Sequence, residues 1–167
     1  LIDYIIIQLR RLSNWKGALF SPENEPTQLH FSKFCRKIIG KHWEGENRIT
    51  LEELAMVEAY LDNYIFFIKP EKDFTLETIL NSVKDTHLRY GLDWYVIDPW
   101  NKLDHKYTTT ETKYISESLD AIIRFNKVYN LHCFLVAHPT KINKDRQTGM
   151  FEIPNLYSIN GSSHFYN

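Results

Sequence analysis

At 167 residues, with 43 % hydrophobic and 25 % charged side chains, the chain is long enough for one domain with a sizeable core and too apolar for disorder over most of its length. A formal net charge of −1 excludes a globally basic surface, so a polyanionic partner has to be met by local patches. The two cysteines, Cys35 and Cys133, lack CxxC spacing and read as reduced, buried thiols of a cytoplasmic protein rather than a disulfide framework or a zinc site.

The opening LIDYIIIQLRRLSN carries an apolar run too short for a membrane span and interrupted by Asp3, Gln8 and Arg10, so it reads as a buried helix over Ile2 to Leu12 and implies no membrane partner. Its start without a methionine or a cap is what a piece of a longer chain would show. Lys16 to Ser21 (KGALFS) forms a short apolar strand, and Pro26 to Ile39 a second helix. A polar loop leads to a helix opening at Thr50, where Glu53 stands at capping-box spacing. Tyr64 to Pro70 (YIFFIKP) is the next strand. The helix after it has Thr75 as its cap, Glu77 in its first turn and Leu76, Leu80 and Val83 on one face, and stops before Gly91. The strand LDWYVID follows. Beyond a threonine-rich loop, Ile115, Leu119, Ile122 and Ile123 give the helix ETKYISESLDAIIRFNKVYN one apolar side, and LHCFLVAH closes the series as a nearly continuous apolar strand. Helices of this length between buried strands predict an α/β fold, a parallel sheet flanked by helices on both faces, with no linker or repeat dividing it.

In a parallel sheet the ligand crevice lies outside the carboxyl ends of the strands. Three strands finish in polar residues there: FSPENE with Glu23, YVID with Asp98, and VAHPTK with His138. A buried strand cannot carry a lone carboxylate in its middle, so Asp98 either ends a strand beside a site or is a turn acid before Pro99. Glu23 after Pro22 equally suits the first turn of a helix, and His138 before Pro139 a satisfied strand end. Taken jointly, a carboxylate that holds Mg²⁺ through water, a second that orients an attacking water and a histidine that reaches a γ-phosphate are parts of a nucleotide hydrolysis site. No GxxxxGK[ST] occurs in the sequence to wrap the β- and γ-phosphates.

The order FSPEN, YVIDPWNKL, amphipathic helix, LHCFLVAHPTK and LYSINGSSHFYN resembles the RecA-like motor domain of DnaB-type hexameric replicative helicases, most closely the Twinkle and phage primase-helicase branch. The resemblance covers nearly the whole chain. It implies one partial RecA-like (P-loop NTPase) domain over residues 1–167, beginning just after the phosphate-binding loop. It also implies ATP and Mg²⁺ as cofactors, Glu23 as the residue polarising the attacking water, Asp98 as the Walker B acid and His138 as the γ-phosphate sensor. Pro99 then turns the chain away from the sheet. Without a Walker A segment, these residues alone are expected to bind and hydrolyse ATP poorly.

KINKDRQTGMFEIP carries Lys141, Lys144 and Arg146 against Asp145 and Glu152, and its length and polarity suit a mobile loop. An ordinary solvated loop reads equally well from those residues. In the resembled family, loops after the sensor strand face the channel of a homo-hexamer and hold single-stranded DNA by its phosphates, which needs charge and reach rather than base readout. Asn160, Gly161, Ser162 and Ser163 resemble the small-residue segment lining the same channel, and read alone they are also a plain turn. The leading expectation is an ATP-driven DNA helicase motor. A recombinase-type or circadian-type RecA-like ATPase and a non-catalytic DNA-binding or assembly module are the alternatives, and a GxxxxGK[ST] upstream of Leu1 would separate motor from module.

Overall fold

Four short strands, each preceded by at least one helix, build a sheet in the order β2-β1-β3-β4 with every neighbour parallel. The computed structural model describes residues 1–105, 110–139, 144, 148–151, 153 and 159. In chain order the elements are α1 (Ile2–Ser13), β1 (Gly17–Phe20), α2 (Thr27–Ile39), α3 (Leu51–Leu61), β2 (Ile65–Phe67), α4 (Leu76–Tyr90), β3 (Trp94–Ile97), α5 (Glu111–Tyr129) and β4 (His132–Leu135).

Alternation along β1 and β3 divides the core in two. Ala18, Phe20, Tyr95 and Ile97 pack with Ile79 and Val83 of α4 and Ile115 and Ile122 of α5. Leu19, Trp94 and Val96 face the other way, onto Ile6 of α1, Phe34 of α2 and Val57 of α3. Both strands are therefore buried on both faces, and each fully buried Leu, Ile or Phe contributes roughly 1.5–3 kcal/mol. Gly17 is required by this packing, because a Cβ there would stand 2.0 Å from the Trp94 ring.

Local signals set the helix ends. The Thr50 hydroxyl accepts from Glu53 N–H at 3.2 Å and the Glu53 carboxylate accepts from Thr50 N–H at 3.0 Å, a complete capping box. Thr75 accepts from Thr78 N–H at 3.3 Å, and α4 ends where Gly91 takes a φ of 68° that an L side chain rarely adopts.

Several expectations are corrected. β2 is three residues long rather than Tyr64 to Pro70, because it is an edge strand that pairs only with β1 and only over Gly17 to Leu19. Ile123 is 50 % exposed, since the buried side of α5 runs through Ile115, Ser118 and Ile122 and excludes it. Cys133 sits on the edge strand β4 and is only partly buried, whereas Cys35 is buried; both are free thiols. Asp3, an interruption by sequence, is buried: it accepts from His30 of α2 at 3.0 Å and from Lys37. Burial disfavours its charge, but the hydrogen bonds and charges of His30 and Lys37 outweigh this and hold the carboxyl down to about 2.

Candidate active site

The register of β1 against β3 pairs Phe20 with Ile97, so the next residues, Ser21 and Asp98, leave the sheet side by side. Asp98 N–H donates to the Phe20 carbonyl at 2.9 Å, and the Ser21 hydroxyl donates to Asp98 Oδ2 at 3.1 Å. Both side chains are half-buried. A 3-10 turn, Pro22–Asn24, then presents Glu23, with Pro22 pre-setting the backbone at its first position.

The third strand end joins through β4. Val136 N–H donates to the Ile97 carbonyl at 2.9 Å, and Trp100 N–H donates to the Val136 carbonyl at 2.6 Å. A second 3-10 turn, Trp100–Lys102, is anchored by buried Trp100 and Leu103, and Asn101 Oδ1 accepts from His138 N–H at 2.8 Å. His138 Nε2 consequently lies 3.8 Å from Glu23 Oε2, and Lys102 Nζ lies 3.8 Å from Glu23 Oε1. Glu23, Asp98 and His138 all stand at the carboxyl edge of the sheet.

Glu23 is 39 % exposed, His138 50 % and Lys102 54 %, so each of these contacts contributes at most about 1 kcal/mol. Contacts that weak leave the carboxylate able to turn toward a ligand. Larger hollows lie elsewhere among the described residues: 620 Å³ between α4 and α5, 400 Å³ beside α1 and the end of α2, 370 Å³ between α2 and α3, and 320 Å³ beside α2, α3 and β2. The strand ends form an open ledge.

Among the described residues no cluster of three His, Cys, Asp or Glu side chains could cage a metal ion. Asp98 fits Mg²⁺ nonetheless, because that ion is commonly held by one or two carboxylates with the remaining positions filled by water and substrate phosphates. Ser21 engages Oδ2, so Oδ1 would be the oxygen to meet a metal-bound water.

Lys102 and Asn101 escaped the sequence reading although they follow Asp98 within four positions. The missing signal is the fold-back of the turn onto β4, which a strand-end argument does not contain. Of the DNA-contacting candidates, Lys144 is described: it is exposed, pairs with Phe151 in an antiparallel bridge and has Nζ 5.2 Å from the Phe151 ring. Pro139 pairs with Ile159 in the same sense. Lys141, Arg146, Asn160, Gly161, Ser162 and Ser163 lie outside the described residues. Among the described residues no helix is long and apolar enough to cross a membrane.

The fold matches the ATPase domain of G40P with a TM-score of 0.70 at 14 % identity, over 98 % of this chain and 61 % of that one. It matches a DnaB-like replicative helicase, described with its interactions with primase, with a TM-score of 0.69 at 15 % identity, over 97 % of this chain and 42 % of that one. At such identities the agreement concerns the RecA-like fold alone. In sequence, the chain is 36 % identical over 176 aligned positions to the Twinkle homolog protein, chloroplastic/mitochondrial, of Arabidopsis thaliana, an alignment covering 99 % of this chain. The chain belongs to the DnaB-type RecA-like domains, on the Twinkle branch. This DnaB-type chain spans 24 % of the length of its plant relative. No family model matches the sequence.

Proposed function

We propose that the chain is part of an ATP-dependent DNA helicase motor and that Glu23, Asp98 and His138 form the hydrolytic side of its nucleotide site. The observation that carries this reading is their convergence at one sheet edge, with Glu23 Oε2 3.8 Å from His138 Nε2 and Asp98 fixed by Ser21. Asp98 would hold Mg²⁺ through water, and the ion would there supply positive charge to offset that of the phosphates. Glu23 orients and polarises the attacking water, while His138 donates to the terminal phosphate once it turns from Glu23. Residues 1–167 form one partial RecA-like unit, and the Walker A contacts come from outside them, since no GxxxxGK[ST] occurs here.

Hydrolysis drives translocation on single-stranded DNA in a ring of six copies, with Lys141, Lys144, Arg146 and the segment Asn160 to Ser163 along the channel. The setting is cytoplasmic by cysteine usage; the plant relative carries an organellar description. Glu23→Gln in the intact protein tests the site. ATP turnover should fall by about 10²-fold or more while nucleotide binding persists, because a water-orienting group is removed without a phosphate contact. Binding and turnover lost in equal measure would make Glu23 structural.

A further inference from the structure

Asp98 terminates a chain of side-chain hydrogen bonds that begins on α2. Lys33 Nζ donates to Asn24 Oδ1. Asn24 Nδ2 donates to Ser21 Oγ at 2.7 Å, and Ser21 Oγ donates to Asp98 Oδ2 at 3.1 Å. All four residues are half-buried.

The direction of the chain follows from the chemistry of its members. An ammonium group has no acceptor, so the Asn24 amide must turn its oxygen to Lys33 and its NH₂ to Ser21. The Ser21 oxygen, which accepts that NH₂, has one proton to give, and the ionised carboxylate of Asp98 can only accept it. Every link therefore points toward the acid. Charged groups at both ends strengthen the terminal bonds, and each bond polarises the next.

Stapling of the Pro22–Asn24 turn alone does not account for this arrangement. Asn24 N–H already closes the turn on the Ser21 carbonyl at 3.0 Å, and the backbone of Asp98 is separately tied to Phe20 at 2.9 Å. What the side-chain bonds add is the orientation of one carboxylate. We infer that Lys33, Asn24 and Ser21 are positioning residues that lock the Asp98 carboxylate with Oδ1 toward the metal-bound water. Because Ser21 and Asn24 flank Glu23, the same relay fixes the metal-holding acid relative to the water-orienting acid and connects both to α2. The inference rests on the reading of Asp98 as the Mg²⁺-holding acid.

Isosteric substitution separates orientation from packing. In Asn24→Asp the new carboxylate accepts from Lys33 and also from Ser21, so the Ser21 proton turns away from Asp98 while the shape of the turn is kept. Ser21→Ala removes the last link, Ser21→Thr retains the hydroxyl, and Lys33→Met removes the head of the chain. The readouts, in the intact protein, are the Mg²⁺ concentration for half-maximal ATP turnover, KM for ATP at saturating metal, and Mn²⁺ affinity in the presence of ADP by electron paramagnetic resonance.

Ser21→Ala and Asn24→Asp should each raise half-saturating Mg²⁺ and weaken Mn²⁺ binding by about tenfold, the loss expected for one charge-assisted hydrogen bond, with KM for ATP nearly unchanged. The double variant should be no worse than Ser21→Ala, since both break one path. Ser21→Thr should restore metal affinity, and Lys33→Met should show the smallest shift. Altered thermal stability with unchanged metal dependence would reduce the relay to a staple. Asp98→Asn distinguishes the two failures: if it weakens metal binding while the relay variants do not, the relay alone is wrong. If Asp98→Asn is also silent, or wild-type turnover needs no metal, the reading of Asp98 falls and the relay with it.

Discussion

The two ends of the parallel sheet are built from different chemistry. At the amino end Gly17 lies against the Trp94 ring, Lys16 N–H donates to the Asp93 carboxylate at 2.8 Å, and His132 N–H donates to the Asp93 carbonyl at 3.0 Å. Trp94 is fully buried, so its indole cannot shift without displacing a neighbour. About 13 Å away, the length of a four-residue strand, Glu23 lies 3.8 Å from both Lys102 and His138, with all three side chains partly in water. One end is packed to hold a register; the other is held loosely enough to rearrange around a ligand. On the proposed function, stability and chemistry are separated along single strands, with buried backbone pairing as the link.

The contrast breaks first at Gly17. Gly17→Ala places a Cβ about where Trp94 ring atoms stand, 2.0 to 2.2 Å away, and should cost about 3 kcal/mol or more in denaturant unfolding. A loss below about 1 kcal/mol would mean that the amino end is not rigid.

Asp3 sharpens the comparison, because buried charge lies close beneath the open ledge: its partner His30 lines the same small hollow as Ser21 and Asn24. The Asp3 carboxyl is held below its ordinary value of 3.8, at about 2. A depressed carboxyl stabilises the fold above the unfolded value and loses that contribution as pH falls through the folded one. The pairing with His30 and Lys37 should therefore supply about 2 kcal/mol at neutral pH, lost between about pH 4 and pH 2. Asp3→Asn should remove a similar amount at pH 7 and flatten unfolding curves measured across that window.

Thr50→Ala should cost about 1 kcal/mol by opening the capping box of α3, an effect remote from both sheet ends and therefore a calibration of local against sheet-borne stability in chemical denaturation. Glu23→Gln should change unfolding free energy by less than about 0.5 kcal/mol, since its ion pairs are long and exposed. A large loss there would show that the carboxyl edge is structural after all.

Much of the scaffold was legible in the sequence because its signals are local. The Thr50–Glu53 spacing, the threonine at position 75 and the apolar strands of β1 and β3 each need only a few neighbouring residues to be read. The placement of Glu23, Asp98 and His138 at the carboxyl edge was legible for a related reason: a polar residue ending an apolar strand has one place to go in a parallel sheet. What escaped depends on pairings across the chain. The contact of Ser21 with Asp98 joins residues 77 positions apart and follows from strand register, which no strand pattern specifies by itself. Asp3 looked like an interruption because its partners lie 27 and 34 positions away on α2. Ile123 belongs to the apolar side of α5 in the sequence but not to its buried face, because four apolar positions cover a wider arc than the sheet accepts.

The most direct test of the separation between the two ends is a titration of the intact protein with Mg·ADP, followed residue by residue by backbone amide NMR shifts. Binding should move Ser21 to Asn24, Asp98, Trp100 to Lys102 and His138, while Gly17, Trp94 and His132 at the amino end stay still. Shifts concentrated in the hollow formed by α2, α3 and β2, with the carboxyl edge silent, would contradict the assignment of nucleotide chemistry to that edge.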